Sequence, residues 1–468
     1  MSTLAAAAAP VAASAAERMS PRQKVLLTLL LGAQFMIAVD FSILNVALPE
    51  VGAGLGFSLA NLQWIATAFA LAAAGFTLLF GRVGDLVGRK RLFIAGMAVL
   101  GGASLLGGLS VSPGMLLTAR VLQGLATAAV TPAGLALLTS SFAEGRLREK
   151  ALGLNGALMS AGFTTGAILG GALTSLLSWR WAFLINVPVA AAVVALAPRI
   201  VPDARPAERS RLDVPGAAAV TLGLLALVFG LTQAGEHGWT GPVALGSLLV
   251  GAVLLVVFWF AEKRAASPLV PPAVLTRRTV VWGNVTGLLA FVTETSLVFL
   301  LTLYLQKVLG YSALSTGLAF GVLGLGTVLG GTLGGRAVSR LGARRTIAVG
   351  GVTQAIATLA LVALGTSSAG IWLLLAATFV GGVGNMLVIV AFMVTATSGL
   401  PAGEQGLATG IATMSQQVGI TMGTPIMSAV VAGASSVLPG VRLAIGVNAA
   451  LVLVATTLVV GALRGRRD

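Results

Sequence analysis

Long apolar runs constrain the fold of this chain more than any other feature, because they recur along almost its whole length. A transmembrane helix needs about 20 mainly apolar residues to cross the hydrocarbon core of a bilayer. Only 9% of the residues are charged, whereas an ordinary soluble domain has about 25%. Strands of a membrane β-barrel would alternate polar and apolar residues, which these runs do not do. We therefore expect an all-α polytopic membrane protein.

The apolar runs predict fourteen transmembrane helices, and the basic residues between them predict their orientation. With both termini cytoplasmic, 25 of the 29 Lys and Arg residues fall in cytoplasmic segments, as the positive-inside rule requires. We interpret the net charge of +15 as this topology signal and not as a nucleic-acid-binding surface. The predicted helices span residues 24–49, 60–81, 92–110, 115–140, 150–177, 182–198, 214–234, 242–262, 279–304, 313–334, 346–366, 371–397, 406–432 and 443–463.

Two loops resemble each other when Gly81 is aligned with Gly335, an offset of 254 residues. GRVGDLVGRKR (81–91) joins the second and third predicted helices, and GRAVSRLGARR (335–345) joins the tenth and eleventh. This repeat predicts two parallel six-helix bundles around two inserted helices, with a substrate site near mid-membrane between the bundles. The predicted organisation is a disordered cytoplasmic tail rather than a cleaved signal (1–23), an N-terminal bundle (24–198), a linker (199–213), two inserted helices (214–262), a linker (263–278), a C-terminal bundle (279–463) and a tail (464–468).

Two acidic residues lie inside predicted helices at equivalent positions of the repeat. Asp40 lies in FMIAVDFSILNVALP, and the same offset places it on Glu294. A charged side chain at the bilayer centre costs at least about 2.5 kcal/mol, so each acid must be shielded, paired or protonated. A carboxyl in an apolar cavity can hold a proton at neutral pH and release it to water or a cationic substrate. We predict that both acids line the transport path; the alternative for Asp40 is a structural hydrogen bond to a neighbour such as Asn45.

Several motifs resemble signatures of the major facilitator superfamily, specifically of its 14-helix drug:proton antiporter family. GRVGDLVGRKR is similar to the loop signature GxLaDrxGrkxx, RVLQGLATA (120–128) to RxxqGxgaa, and GFTTGAILGG (162–171) to the antiporter motif GxxxGPxxGG. WRWAFLINVP (179–188) and VDFSILNVALP (39–49) resemble further signatures of the drug-exporting branch. Two positions depart from the pattern: Ala167 replaces the proline of the antiporter motif, and Ser339 stands where Asp85 stands in the first half.

The resemblance implies a major facilitator fold and a role for each motif. Arg120 and Gln123 would join Asp40, Glu294 and Asn45 in proton coupling and the substrate cavity; a static ion pair is the alternative for Arg120. The antiporter motif would seal the path against leak, beside its role in close helix packing. Flat lipophilic cations suit aromatic contacts, although packing or lipid contact is the alternative for each ring. The implied sets are the cytoplasmic gate (Gly81, Asp85, Gly88, Arg89, Lys90), the antiporter motif (Gly162, Gly166, Gly170, Gly171) and the aromatic cavity residues (Phe35, Trp64, Trp282, Phe291).

These features predict a proton-coupled antiporter that exports lipophilic, cationic drugs by alternating access, and so confers antibiotic resistance. The alternative is a narrow exporter of one metabolite, antibiotic, siderophore or lipid. A membrane sensor is disfavoured because no long soluble segment occurs. An enzyme is not expected, since neither a nucleophile–base–acid set nor a phosphate-binding GxxxxGK[ST] motif is present.

Partners and location follow from the same composition. With no cysteine and a single histidine, His237, no metal site is expected. We expect no cofactor, the proton gradient being the energy source. The expected partners are small substrates, protons and membrane lipids, with no nucleic acid. We expect a monomer in the cytoplasmic (inner) membrane of a bacterium.

Overall fold

A computed structural model of the chain describes residues 19–57, 62, 64–142, 146–202, 213–265, 268–398 and 405–464. Within these residues every regular element is helical. A single turn, Pro272–Leu275, joins α8 to α9, and short π and 3₁₀ segments extend α9 and α11. The long helices are α1 Pro21–Leu55, α2 Trp64–Val87, α3 Arg89–Gly108, α4 Pro113–Ser141, α5 Arg146–Leu176, α6 Trp181–Ile200 (interrupted at Ile185), α7 Val214–His237, α8 Pro242–Arg264, α9 Arg278–Leu303, α10 Ala313–Leu341, α11 Ala343–Ala360, α12 Gly370–Thr397, α13 Gln405–Ala432 and α14 Val437–Ala462.

Thirteen helices of the described residues are long and apolar enough to cross a membrane, and α13 is not among them. Its middle carries Ser415, Gln416 and Gln417. Ser415 donates to Asn284 Oδ1 on α9 at 2.9 Å and Thr421 donates to the Ala70 carbonyl on α2 at 3.3 Å, so polar groups of α13 bond to other helices. The all-α polytopic fold is confirmed, whereas fourteen spans and cytoplasmic termini stay predictions.

The helices run beyond the apolar runs that predicted them, so several predicted ends were wrong. α1 continues to Leu55 and α10 to Leu341, because a helix needs apolar residues only where it meets the hydrocarbon. The predicted turn at 81–91 is reduced to Gly88 alone, with φ +105°. Its counterpart Gly342, with φ +79°, is the single residue between α10 and α11. Only glycine adopts such values without steric cost.

The first six helices (α1–α6, the first half) and the last six (α9–α14, the second half) pack by one scheme. α1 packs on α5, α2 on α4, and α3 on α4 and α6. The equivalent contacts are α9 on α13, α10 on α12, and α11 on α12 and α14. The helix arrangement therefore repeats as the two similar loops indicated.

Contacts between the halves run mainly through α5 with α10 and α2 with α13. α7 packs against both α2 and α13, and α8 packs on α7, so the inserted pair lies beside one of the two seams. The predicted tails and linkers fall partly on 1–18, 203–212, 266–267 and 465–468, which lie outside the described residues. The predicted domain boundaries stay predictions.

Candidate functional site

Asp40 lies at the centre of a buried polar network inside the first half. It is 1% exposed, and its carboxylate accepts hydrogen bonds from Gln123 Nε2 at 3.0 Å and from Asn186 Nδ2. Arg120 Nη1 lies 3.4 Å from Asp40 Oδ2 and forms an ion pair with it. Gln123 and Asn186 also donate to Ser104 Oγ, at 2.9 and 3.2 Å. The network therefore joins α1, α3, α4 and α6 around one carboxylate.

Arg120 is held on several sides besides its ion pair. Its Nε donates to the Ile65 carbonyl at the start of α2, at 3.0 Å, and its Nη1 donates to Gln123 Oε1 at 2.8 Å. Its guanidinium lies 4.3 Å from the centroid of the Phe69 ring, within the range of a cation–π contact. A buried arginine in a membrane protein needs an acid or carbonyl groups around its charge. Arg120 contacts both.

The Asp40–Arg120 pair stabilises the fold only while both side chains are charged and in contact. Removing one partner of a buried pair costs about 3–5 kcal/mol, because the other charge is left uncompensated. Taking a proton onto Asp40 would likewise remove the negative charge that faces Arg120. A proton on Asp40 would thus weaken the tie between α1 and α4.

Glu294 has a different environment inside the second half. Its side chain is partly exposed and lines a cavity of about 20 Å³, enough for a water molecule. Asn385 of α12 is its polar neighbour, and within the described residues Glu294 forms no ion pair. We call this space the Glu294 cavity; its lining includes Glu294, Leu297, Thr327, Gln354, Thr378 and Asn385.

The two predicted acids are therefore not brought into one site. Each one contacts side chains of its own half, and Asp40 is enclosed instead of lining an open path. The side chains of Asn45 and Asp85, and that of His237, lie outside the described residues.

Hydrogen bonds repeat between the halves even where the acids differ. Arg180, directly before α6, donates to the Ser110 carbonyl just after α3 at 3.0 Å, and Arg442 of α14 donates to the Leu364 carbonyl just after α11 at 2.6 Å. Lys90 donates to the Pro198 carbonyl at 2.9 Å, and its counterpart Arg344 donates to the Val460 carbonyl at 3.1 Å. Each bond fastens the third helix of its half to the sixth.

Asn186 and Asn448 form another repeated pair, and sequence reasoning assigned a role to neither. Asn448 donates to the Thr293 carbonyl at 3.0 Å and to Ser296 Oγ at 2.8 Å, on both sides of Glu294. A signal existed, since each asparagine follows an arginine, Arg180 or Arg442, by six residues. Ser104, Gln354 and Asn385 were missed as well, because no motif marks them.

The glycines of the antiporter motif pack α5 onto the helix that carries Asp40. A Cβ atom at Gly162 would lie 2.8 Å from the Phe35 carbonyl, and one at Gly166 would lie 2.7 Å from the Val39 carbonyl. Gly170 meets the Ile43 carbonyl in the same way, whereas Gly171 faces Ala313 of α10 across the seam between the halves. Close helix packing is thus one role of this stripe, and sealing against leak stays a prediction.

The predicted gate residues lie around the α2–α3 junction. Gly81 lies within α2 with no neighbour close to it, Gly88 forms the junction, and Lys90 reaches α6 as described above. Arg89 begins α3 and takes part in an interaction. Without the Asp85 side chain, the gate as a unit stays a prediction.

The four aromatic candidates lie apart from the Glu294 cavity. Phe35 packs in the α1–α6 core, and Trp64 contacts Phe229 of the inserted helix α7 with 5.9 Å between ring centroids. Trp282 and Phe291 pack in two separate apolar clusters of the second half. The contacts of all four rings are packing contacts with other apolar side chains, which was the alternative to a place in the substrate cavity.

A family model described as Major Facilitator Superfamily matches residues 30–424. A puromycin resistance protein of Streptomyces alboniger is 38% identical over 433 residues, covering 92% of this chain and 86% of that protein. A cephamycin export protein of Amycolatopsis lactamdurans is 38% identical over 412 residues, covering 86% and 84%. A multidrug resistance protein of Mycobacterium tuberculosis is 30% identical over 398 residues, covering 85% and 74%.

Among solved structures, the human organic anion transporter MFSD10 (TETRAN) has a similar fold. The TM-score is 0.65 at 17% identity, and the match covers 94% of this chain and 100% of that one. At this identity the likeness concerns the fold alone.

Proposed function

The chain belongs to the Major Facilitator Superfamily, and from that premise we propose that it is a proton-coupled antiporter that exports lipophilic, cationic drugs by alternating access. Superfamily membership confirms the prediction of a membrane transporter and not an enzyme. Its relatives are named as antibiotic or multidrug resistance and export proteins of bacteria, which supports drug export. We place it, with its bacterial relatives, in the cytoplasmic membrane.

The enclosed Asp40–Arg120 pair is the observation that carries proton coupling. An arginine does not lose its proton at physiological pH, so Asp40 is the member of the pair that can exchange one. When Asp40 takes a proton, the ion pair is lost, and Arg120 keeps its hydrogen bonds to the Ile65 carbonyl and to Gln123. Such a change alters how α1 is held against α2 and α4, which is the kind of two-state contact that alternating access needs.

Cationic substrates would compete with the proton for the same negative charges. Glu294, with water-sized space beside it and no ion pair within the described residues, is the acid better placed to meet a cation. Competition between a proton and a cation suffices to couple their opposite movements, because binding one then requires release of the other.

A narrow exporter of one antibiotic is the second candidate, favoured by a specific observation. The puromycin resistance and cephamycin export proteins, each 38% identical to this chain, are each named for one compound. The two candidates differ in breadth of substrate and share the coupling mechanism.

Transport by reconstituted protein tests both candidates. A proton gradient is imposed on proteoliposomes, and uptake of ethidium and of puromycin is followed for wild type, Asp40→Asn and Glu294→Gln. Glu50→Gln is the matched control, since Glu50 is an exposed acid on the same helix as Asp40. We expect each of the first two variants to lose gradient-driven transport while still binding substrate, and Glu50→Gln to retain it.

The other outcomes are equally informative. If both acid variants transport like wild type, neither acid couples protons, and Asp85 becomes the next candidate. If wild type moves puromycin but never ethidium, the narrow exporter replaces the multidrug proposal. Movement of neither compound would contradict both.

A further inference from the structure

A second cavity lies next to the Glu294 cavity, and the two share the side chain of Gln354. The second cavity also has a volume of about 20 Å³, which again admits water. It is enclosed by α9, α11, α12 and α14, and Thr286, Thr293 and Thr456 contribute hydroxyl groups to its lining. We call it the Thr286 cavity. Of the described residues that line the two cavities, Glu294 is the only titratable one.

The two cavities follow each other along the axis of α9. The Glu294 cavity touches α9 from Glu294 to Leu301, and the Thr286 cavity touches it from Thr293 back to Thr286. The seven steps from Thr286 to Thr293 span about 10 Å of helix. Ile347 near the start of α11 and Val459 near the end of α14 line the same cavity. The Thr286 cavity therefore leads from the level of Glu294 toward the helix ends on the side of the C-terminus, predicted to be cytoplasmic.

Gln354 lies at the junction of the cavities and is only weakly held there. Its side chain is 4% exposed, and its Nε2 donates to Thr293 Oγ1 at 3.3 Å, next to Glu294 in the chain. This long hydrogen bond between two neutral groups is among the weaker kinds. The amide therefore lies where the linings of the two cavities meet.

The first half has a solid core where the second half has this space. The 254-residue offset aligns Ile347, Gly351 and Gln354 with Phe93, Met97 and Leu100 of α3. These three first-half side chains are fully buried in one apolar cluster. Glycine and glutamine thus stand where the other half has two large apolar residues.

We propose that protons reach Glu294 through the interior of the second half, along the Thr286 cavity, and that Gln354 controls their passage into the Glu294 cavity. This inference deepens the proposed proton coupling and rests on it. The path is separate from the seams between the halves, where a substrate would move. Water would carry the proton, held by the hydroxyl oxygens of Thr286, Thr293 and Thr456, whose own protons are donated to carbonyls of their helices. The amide of Gln354 would position the water that meets Glu294. Gln354 acts as a positioning residue, since the proton binds to Glu294.

The test measures proton access to Glu294 directly, without transport. The purified full-length protein is exchanged from H₂O into D₂O, and infrared difference spectra follow the carboxyl band that Glu294→Gln removes, between about pH 4 and pH 8. Gln354→Leu installs the residue that the first half has at Leu100. Gln34→Leu is the matched control, because Gln34 is also a buried glutamine with one hydrogen bond, to the Thr131 carbonyl of the first half.

We expect Gln354→Leu to slow exchange of the Glu294 band about tenfold, the rate equivalent of one hydrogen bond, and Gln34→Leu to match wild type. Gln354→Glu, which restores a polar bridge, should exchange as fast as wild type. Unchanged exchange in Gln354→Leu, in protein that melts like wild type, would overturn the inference and point to access from the seams. Absence of any Glu294-dependent band over that pH range would overturn it too. Transport that survives Glu294→Gln would instead defeat the coupling role of Glu294, and the exchange rates would still report its access.

Discussion

The two halves of this transporter share their helix packing and differ in how they treat their acid. In the first half Asp40 is enclosed and tied to Arg120, Gln123 and Asn186. In the second half Glu294 borders a cavity and has one neutral amide, Asn385, as its polar neighbour. The comparison teaches that a repeat preserves the scaffold, while a few side chains decide whether an acid is part of the structure or free to bind.

Substitutions of the two acids should differ most in their effect on the stability of the protein. We expect Asp40→Asn to lower the free energy of unfolding by about 3–5 kcal/mol, because it leaves the buried Arg120 without its counter-charge. Glu294→Gln should change it by less than about 1 kcal/mol, because no ion pair is lost within the described residues. Reversible unfolding in mixed detergent micelles measures both values.

A double variant shows whether the loss comes from the pair. Asp40→Asn combined with Arg120→Gln should recover part of the stability, since the uncompensated charge is gone. Equal losses for Asp40→Asn and Glu294→Gln would mean that the two environments differ less than their geometry indicates.

The paired asparagines give a smaller contrast at equivalent positions. Asn186 donates to the Asp40 carboxylate, whereas Asn448 donates to a carbonyl and a hydroxyl. Asn186→Leu should cost about 1.5–3 kcal/mol and Asn448→Leu about 0.5–1.5 kcal/mol, because a hydrogen bond to a charged group is the stronger kind. The same unfolding measurement applies, and Asn448→Leu as the costlier change would contradict the comparison.

Sequence predicted the scaffold well because its two signals, apolar length and the repeated loops, are set by the bilayer and by the fold itself. Helix ends were harder to predict, as at Leu55 and Leu341, because nothing apolar is needed outside the hydrocarbon. α13 falls below the apolarity of a typical span, because its polar residues bond to α2 and α9 and not to lipid.

The site was predictable only where chemistry leaves few choices. A buried arginine needs an acid or carbonyls, so an ion pair was one of the two alternatives for Arg120, but the sequence did not indicate that Asp40 is its partner. The sequence pointed to Asn45 and not to Asn186 as a hydrogen-bond partner of Asp40. The actual partner depends on which helix crosses α1 at the level of Asp40, and the sequence does not show this. The cavities at Glu294 could not be predicted, since they depend on how the side chains of several helices pack together and no motif marks Gln354 or their other lining residues.

The two halves should differ least at the single-residue junctions Gly88 and Gly342. Both combine a positive φ with an extended ψ of 126° or 155°, so Gly88→Ala and Gly342→Ala should each cost about 1–3 kcal/mol, by the same steric clash of a Cβ with its own backbone. Gly81→Ala and Gly335→Ala are matched controls about two helix turns away: both positions are helical with open space around them, so alanine should stabilise them by about 0.5–1 kcal/mol. Unfolding midpoints of the four variants test this. A large cost at Gly88 with none at Gly342 would show that the two junctions are not structurally equivalent. The differences between the two acids could then no longer be attributed to a few side chains on the same scaffold.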